Sequence, residues 1–243
     1  MSQLEQYPSA RFYVFTYLLF WLVGGLLLLY YGYEESFRVV NQWHTPLGDK
    51  IMPHLTHLGH GMLVGSLFLI VGRKSRPQIL LAMLLSMIGI AVVSAVGKNI
   101  FFEDWGRPAK VLGSANIHFI SLIGEKNQSF PSGHSAVAAA VFFFITLSLE
   151  KKSVWLSVGF ALLSIIACYS RVYIGVHFPA DILAGSMLGL LLSVGMVKLI
   201  TYYFPRRVFD FFRNADRSAN GFAGLGFVLL AIDVYVIVTQ NYL

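Results

Sequence analysis

The sequence predicts an all-α integral membrane protein, in which a core bundle of six transmembrane helices is followed by a seventh helix at the C-terminus. Hydrophobic residues make up 56% of the 243 residues and charged residues only 12%, whereas soluble proteins carry about 25% charged residues. The mean hydropathy is +0.67. Seven apolar segments also approach the length of about 20 residues that a helix needs to cross a bilayer.

These seven segments are expected to be helices, because inside a bilayer a single open chain satisfies its backbone polar groups only in that form. They are Phe12 to Tyr31, Met52 to Gly72, Ile79 to Gly97, Ser135 to Leu149, Val154 to Tyr169, Ile182 to Tyr203 and Gly221 to Thr239. The first ends without a small-x-small cleavage site, so we interpret it as a retained span. The fourth and fifth are short, which predicts outer ends slightly below the membrane surface. We expect a single domain over residues 1–243, with a motif-bearing core at about 51–204 and an extra segment at 221–240.

The connections between segments alternate in charge. If every segment crosses, most lysines and arginines fall on one side, and the rule that positive loops stay inside makes that side cytoplasmic. These residues are Arg11, Arg73, Lys74, Arg76, Lys151, Lys152, Arg206, Arg207, Arg213 and Arg217. The net charge of +6 therefore has an explanation that needs no nucleic acid. The single cysteine, Cys168, excludes an intrachain disulfide framework.

Three polar stretches lie on the opposite, extracytoplasmic side, and the third carries a histidine and an aspartate. It reads Ser170-Arg171, then five residues, His177, three residues and Asp181. Residues four apart share a face in a helical turn, and a carboxylate bonded to one imidazole nitrogen leaves the other nitrogen free to attack. The alternative is an ordinary capping aspartate beside an interfacial histidine.

The second stretch, Pro131-Ser132-Gly133-His134, opens the fourth segment. Free backbone donors and the helix dipole at such a terminus favour phosphate, and Gly133 lets the backbone approach closely. Ser132 adds a hydroxyl, and His134 is placed to act as a general acid. The alternative is a simple serine N-cap.

The first stretch runs from Lys98 to Pro108 and supplies positive charge. Lys98 and Arg107, with Arg171 from the third stretch, provide three cations for a phosphoryl group, whose transfer depends on positioning and charge stabilisation. The alternative is a set of interfacial basic residues in contact with lipid head groups. Because the fourth and fifth segments form a hairpin, the second and third stretches return to the same face of the membrane.

Together the three stretches resemble the signature of the type 2 phosphatidic acid phosphatase superfamily, in its bacterial membrane lipid phosphatase branch. Its motifs are Lys-x6-Arg-Pro, Pro-Ser-Gly-His and Ser-Arg-x5-His-x3-Asp, and the second and third match here in full. The resemblance covers about residues 98–203. The first motif departs from the pattern, because eight residues rather than six separate Lys98 from Arg107. Either the loop has a two-residue insertion, or Arg107 aligns with the first arginine of the Arg-x-Arg-Pro run found in many relatives and Lys110 substitutes for the second.

The resemblance implies a metal-independent phosphatase without a cofactor, acting through a phosphohistidine on a lipid phosphate or diphosphate. His177 would be the nucleophile, Asp181 its orienting partner and His134 the acid and later the base. The residues that would hold the phosphate are Lys98, Arg107, Ser132, Gly133 and Arg171. The substrates expected are undecaprenyl diphosphate, phosphatidylglycerophosphate, phosphatidic acid or a lipid A phosphate. The location would be a bacterial cytoplasmic (inner) membrane, with the site facing the extracytoplasmic side and with no obligate protein partner.

Two other functions use the same residues or the same surface. A lipid phosphotransferase would pass the phosphoryl group to another lipid, and a non-hydrolytic transporter would bind lipid phosphate only. Transporters tend to place charges near mid-membrane, whereas this chain places nearly all of them at the rim.

Two further features of the sequence are candidate sites. His54, His57 and His60 recur every three residues, but no cysteine or carboxylate completes a metal set, so an interface-facing or pocket-lining role is favoured. Asp233 in the last segment is an intramembrane carboxylate; pairing with a neighbour or a position near the surface accounts for it without a catalytic role.

Overall fold

The computed structural model describes residues 10–61, 65–66, 77–120, 128–148, 153–203, 228 and 231. Within them every regular element is helical, as the composition predicts. The longer helices are α1 (Ala10–Asn41), α2 (Pro46–Leu55), α3 (Pro77–Val96), α4 (Gly133–Ser148), α5 (Val154–Tyr173) and α6 (Pro179–Tyr203). Short helical turns occupy Thr56–Gly59, Gly97–Phe101, Ala109–Gly113 and Ser114–Asn116.

Four of these helical stretches are long and apolar enough to cross a membrane, and they agree with the first, third, fifth and sixth predicted segments. They are Ala10–Asn41, Gln78–Phe101, Val154–Tyr173 and Pro179–Tyr203. The fourth predicted segment is α4, a shorter apolar helix of 16 residues. The predicted seventh segment lies outside the described residues except for Val228 and Ala231, which are helical, and Asp233 lies outside them as well. The predicted count of six or seven crossings therefore remains a prediction.

The predicted second segment is not one continuous helix at its start. Residues from Met52 belong to α2, which ends at Leu55, and a 3₁₀ turn follows over Thr56–Gly59. His60 then adopts an extended conformation, with φ −80° and ψ 114°. Pro53 inside α2 lacks a backbone donor. The remainder of this segment is described only at Gly61, Gly65 and Ser66, which are helical.

Helix α1 continues ten residues beyond the predicted end at Tyr31. It bends at Gly32, whose φ of +76° and ψ of −174° lie in a region open to glycine and strained for other residues. Beyond this kink, Tyr33, Phe37 and Asn41 reach towards the ends of α5 and α6. The first ten residues of the connection between the first two predicted segments, up to Asn41, are therefore helical and pack against the bundle.

The short fifth segment was also predicted wrongly, because α5 spans 20 residues, about 30 Å. It continues through Ser170 and Arg171 to Tyr173. The predicted span ended at Tyr169, directly before the polar pair Ser170-Arg171. These side chains are nonetheless buried inside the protein, with Arg171 only 1% exposed.

Helix α4 lies at the centre of the bundle and packs against α3, α5 and α6. Nearly every side chain from Ser135 to Phe144 is buried, so α4 is surrounded by protein rather than by lipid. A sequence that is apolar on all sides is typical of such a helix. Because α4 begins at the second polar stretch, its burial fixes that stretch within the protein.

The close contact between α4 and α6 depends on two glycines four residues apart. A Cβ atom added to Gly189 would lie 2.7 Å from the carbonyl carbon of Ala136, and one added to Gly185 would lie 3.1 Å from that of Ser132. Small residues at such spacing let membrane helices approach closely. This contact holds the start of α4 beside the start of α6.

Candidate active site

His177 and Asp181 form the buried pair that their spacing predicts. The Nδ1 atom of His177 lies 3.2 Å from Oδ2 of Asp181, and the two residues are 1% and 0% exposed. His177 lies in the turn before α6 rather than within a helix, which differs from the shared helical turn expected. Asp181, in the first turn of α6, reaches back to the backbone N–H of Phe178 at 2.9 Å, as an acidic N3 residue does in a capping box.

Two further side chains, which the sequence did not predict as part of the site, donate hydrogen bonds to the carboxylate of Asp181. The hydroxyl of Tyr33 donates to Oδ1 of Asp181 at 2.9 Å, and that of Ser129 donates to Oδ2. Ser129 also lies 3.3 Å from Nδ1 of His177. Asp181 and Ser129 both contact His177 at Nδ1. The other ring nitrogen, Nε2, is therefore the one available to a reacting group.

The second polar stretch lies directly against this pair. The backbone N–H of Ser132 donates to the carbonyl of Asp181 at 3.1 Å. The Ser132 hydroxyl caps α4, accepting from the N–H and the hydroxyl of Ser135 at 3.4 and 3.0 Å. A Cβ on Gly133 would meet no described atom within 4 Å, so no described neighbour requires glycine there. His134 lies within electrostatic range of His177.

Arg171 and Arg107 bring two guanidinium groups to the site. Arg171 donates from Nη1 to Oγ1 of Thr56 at 2.6 Å. Its Nε, together with Nε and Nη1 of Arg107, is buried and makes no hydrogen bond among the described residues. Within the same part of the chain, no carboxylate lies at ion-pair distance from either arginine. A buried cation without an anion is unfavourable, so the two groups are suited to an anionic ligand.

The structure also brings Lys98 to the site, although the first motif has two residues more than the family pattern. Lys98 lies in a π-helical turn over Gly97–Phe101, a form in which the chain accommodates extra residues. The charges of Lys98 and Arg107 both act on His177. Lys110, the residue considered as a substitute, is exposed.

This environment favours the neutral form of His177. Burial, followed by the positive charges of Arg107, Arg171 and Lys98, holds the pKa of His177 well below its ordinary value. Burial also lowers the pKa of Arg107, although an arginine stays protonated. The site therefore combines an unprotonated imidazole with fixed cations, an arrangement suited to attack on an anionic phosphorus centre.

The histidine row of the sequence does not form a metal site. His54 belongs to α2 and His57 to the following 3₁₀ turn, and His60 is the extended residue after that turn. His54 is exposed, and the ring of His60 lies 5.9 Å from that of His134. The predicted pocket-lining role fits His60, which borders the cavity described next.

An apolar cavity of about 470 Å³ opens beside His134. Its walls come from α3, the start of α4 and residues 59–61 and 65–66, and they are almost entirely nonpolar. The lining includes Met83, Met87, Ile90, Gly133, His134 and Val137. A hydrophobic chain joined to a phosphate would therefore have a wall to contact next to the polar site.

The chain matches the family model described as the PAP2 superfamily over residues 78–206, which is more than half of its length. The chain belongs to this superfamily. The match spans α3 to α6 and the connections between them, which together contain all three polar stretches. Members of the superfamily similar to this chain are named phosphatases, and this chain is a phosphoric ester hydrolase embedded in the membrane.

Three PAP2 relatives illustrate the similarity. Phosphatidylglycerophosphatase B of Bacillus subtilis is 31% identical over 162 residues, which cover 60% of this chain and 72% of the relative. An undecaprenyl-diphosphatase of Sulfolobus acidocaldarius is 24% identical over 199 residues, covering 78% and 92%. The crystal structure of Aquifex aeolicus LpxE superposes with a TM-score of 0.59 at 28% identity, covering 68% of this chain and 93% of that one.

Proposed function

We propose that this PAP2 protein hydrolyses a lipid phosphate or diphosphate through a phosphohistidine intermediate on His177. The observation that carries the proposal is a pair of guanidinium groups beside a neutral imidazole, that of Arg171, which is buried, and that of Arg107, which is partly buried. Their unpaired N–H groups suit the equatorial oxygens of a phosphoryl group. Free backbone N–H groups at the start of α4, near Ser132 and Gly133, would add further donors.

In the first step, Nε2 of His177 attacks phosphorus, forming the N–P bond as the bond from phosphorus to the leaving oxygen breaks. Asp181 holds the Nδ1 proton and offsets the positive charge that develops on the ring. His134 donates a proton to the leaving oxygen. This step requires His134 to be protonated while His177 is neutral.

In the second step, water attacks the phosphohistidine. His134, now neutral, accepts a proton from that water, the N–P bond breaks, and inorganic phosphate leaves with His177 restored. Lys98, Arg107 and Arg171 stabilise the charge on the phosphoryl oxygens in both steps. No step requires a metal ion.

The apolar cavity beside His134 supports a lipid as the substrate, because it places a hydrophobic wall next to the proposed acid. The names of the relatives point to phosphatidylglycerophosphate and undecaprenyl diphosphate. Phosphatidic acid and lipid A phosphates share the same combination of an apolar chain and an exposed phosphate. We propose that the substrate belongs to this class of lipids, which joins an apolar chain to an exposed phosphate or diphosphate.

The connectivity supports an extracytoplasmic site in a cytoplasmic membrane. Helix α4 begins at the site and runs away from it, and α5 returns. The link that contains Lys151 and Lys152 therefore joins their far ends. Basic connections stay in the cytoplasm, which supports an external position for the opposite end, with His177.

The test is a phosphate-release panel over the four lipid classes, using the purified full-length chain. Wild type should release phosphate from at least one lipid without an added acceptor, and His177→Ala should abolish the release. His54→Ala serves as the matched control, because it removes an exposed histidine outside the site and should leave turnover unchanged. Near-normal turnover in His177→Ala would refute the nucleophile. Consumption of the substrate only when a lipid acceptor is added, with the phosphoryl group recovered on that acceptor rather than as inorganic phosphate, would indicate a phosphotransferase. Binding without consumption would indicate a transporter.

A further inference from the structure

Three side chains of types that ligate metal ions lie close together at the end of the bundle that holds the active site, but outside the phosphate site itself. His44 precedes α2, Asp49 lies in its first turn, and His118 lies in the connection before α4. Each offers one ligand atom, and these atoms all lie within 4.8 Å of one another. Neither the metal-independent chemistry proposed for His177 nor the residues of the three motifs account for this cluster.

We propose that His44, Asp49 and His118 bind a divalent transition-metal ion of the Zn²⁺ class. Two imidazoles and one carboxylate form a ligand set suited to such ions, with a fourth position left to water. Mg²⁺ and Ca²⁺ prefer sites built from oxygen atoms. The proposal does not depend on the phosphatase mechanism.

The distances require only small adjustments. Tetrahedral bonds of about 2.0 Å place ligand atoms roughly 3.3 Å apart. Nε2 of His118 and Oδ1 of Asp49 are 2.8 Å apart and would separate by about 0.5 Å. The rings of His44 and His118 are stacked, with centroids 3.8 Å apart and planes at 1°, so one ring must turn for both lone pairs to meet one ion. His44 is exposed and is free to turn.

Surrounding residues hold the other two ligands in place. The amide of Asn41 donates to the carbonyl of His118 at 3.0 Å and accepts from its N–H at 2.8 Å. The hydroxyl of Tyr173 donates to Oδ1 of Asp49 at 2.8 Å. Such outer contacts orient metal ligands and tune their basicity.

The role expected for the ion is structural. It would join α2 and the connection containing His118, and Thr56, which follows α2, supports Arg171. A bound ion would therefore stabilise the fold around the phosphate site without taking part in the reaction.

The test measures zinc content and thermal stability of the tag-free, full-length protein. After EDTA treatment and dialysis, Zn²⁺ should rebind at one ion per chain and raise Tm by about 5 °C or more at saturating metal. His44→Ala is the main variant, because the His44 side chain is exposed and its removal leaves no cavity in the fold, and Asp49→Asn is the second. Both should lose the bound zinc and the Tm shift, whereas His54→Ala, a histidine in α2 outside the cluster, should keep both.

Two outcomes would overturn this assignment. One is a zinc content below 0.2 ions per chain, a level on the order of nonspecific retention; the other is zinc binding that survives in both cluster variants. Phosphate release should persist after EDTA treatment, so its loss would contradict the metal-independent mechanism rather than the metal site. Failure of His177→Ala to abolish release would leave the zinc result unaffected, and the two proposals therefore fail separately.

Discussion

Replacing Gly189 by alanine should disrupt the active site from a distance. The added Cβ would lie 2.7 Å from the carbonyl carbon of Ala136, whereas ordinary contacts begin at about 3.4 Å, and the obstacle is backbone that cannot rotate away. Helix α6 must therefore move about 0.7 Å or more from α4. Asp181 belongs to α6 and Ser132 adjoins α4, so their 3.1 Å backbone contact would be strained.

The magnitude follows from two effects. Overpacking a close helix contact costs about 1–3 kcal/mol, and a misplacement of about 1 Å at a catalytic site can cost on the order of 10²-fold in rate. We expect Gly189→Ala to lower kcat/KM by about 10- to 100-fold, and to lower Tm. The assay is phosphate release from the best lipid of the panel, with thermal unfolding measured on the same sample.

Gly195→Ala is the matched control for this substitution. Gly195 lies on the same helix, and a Cβ there would meet no described atom within 4 Å, so activity should be retained. Wild-type kcat/KM and Tm in Gly189→Ala would refute the close-contact argument. Equal damage from Gly195→Ala would show that the helix tolerates no added side chain, whatever its surroundings.

Three further predictions concern the site directly. Arg107→Ala should move the acid limb of kcat/KM to higher pH, because removing a nearby cation raises the pKa of His177, and a profile unchanged in position would contradict this coupling. Tyr33→Phe should lower kcat by about 5- to 20-fold with a smaller effect on KM, because one donor to Asp181 is lost; an effect confined to KM would argue against a positioning role. His134→Ala should slow turnover by roughly 10²- to 10⁴-fold with an alkyl leaving group, and wild-type rates would exclude it as the general acid.

The residues with distinctive chemistry could be predicted from the sequence. A histidine four residues before an aspartate and a Ser-Gly-His at a helix start indicate particular contacts, and the structure places both stretches together. Their roles in catalysis stay predictions. Cations are also recognisable by type, so Lys98 and Arg107 were candidates despite their unusual spacing.

The supporting contacts could not be predicted, because they depend on tertiary packing. Tyr33 lies 148 residues from Asp181, and Thr56 lies 115 residues from Arg171. Neither residue belongs to a motif, and Tyr33 reaches its partner only because α1 kinks at Gly32 and continues. The Gly-x3-Gly spacing of Gly185 and Gly189 is a signal in the sequence that would have predicted the α4–α6 contact.

Helix ends were predicted less well than helix centres. Hydropathy reports contact with lipid, so it ended the fifth span before Arg171, although that side chain is buried in protein. It also joined Met52 to the following apolar run, although the chain changes from α-helix to a 3₁₀ turn and then to an extended residue at His60. For the same reason the regular spacing of His54, His57 and His60 does not place them on one helix.

The central claim is that His177 carries the phosphoryl group, and trapping that intermediate tests it most directly. His134→Ala should be mixed with an aryl phosphate whose leaving group needs no proton, quenched in alkali, in which phosphohistidine is stable, and mapped by peptide mass spectrometry. The account predicts one phosphoryl group on the peptide that contains His177, and none when His177→Ala is added to the same variant. Phosphoryl transfer to another residue, or turnover by the double variant at the rate of His134→Ala, would contradict it.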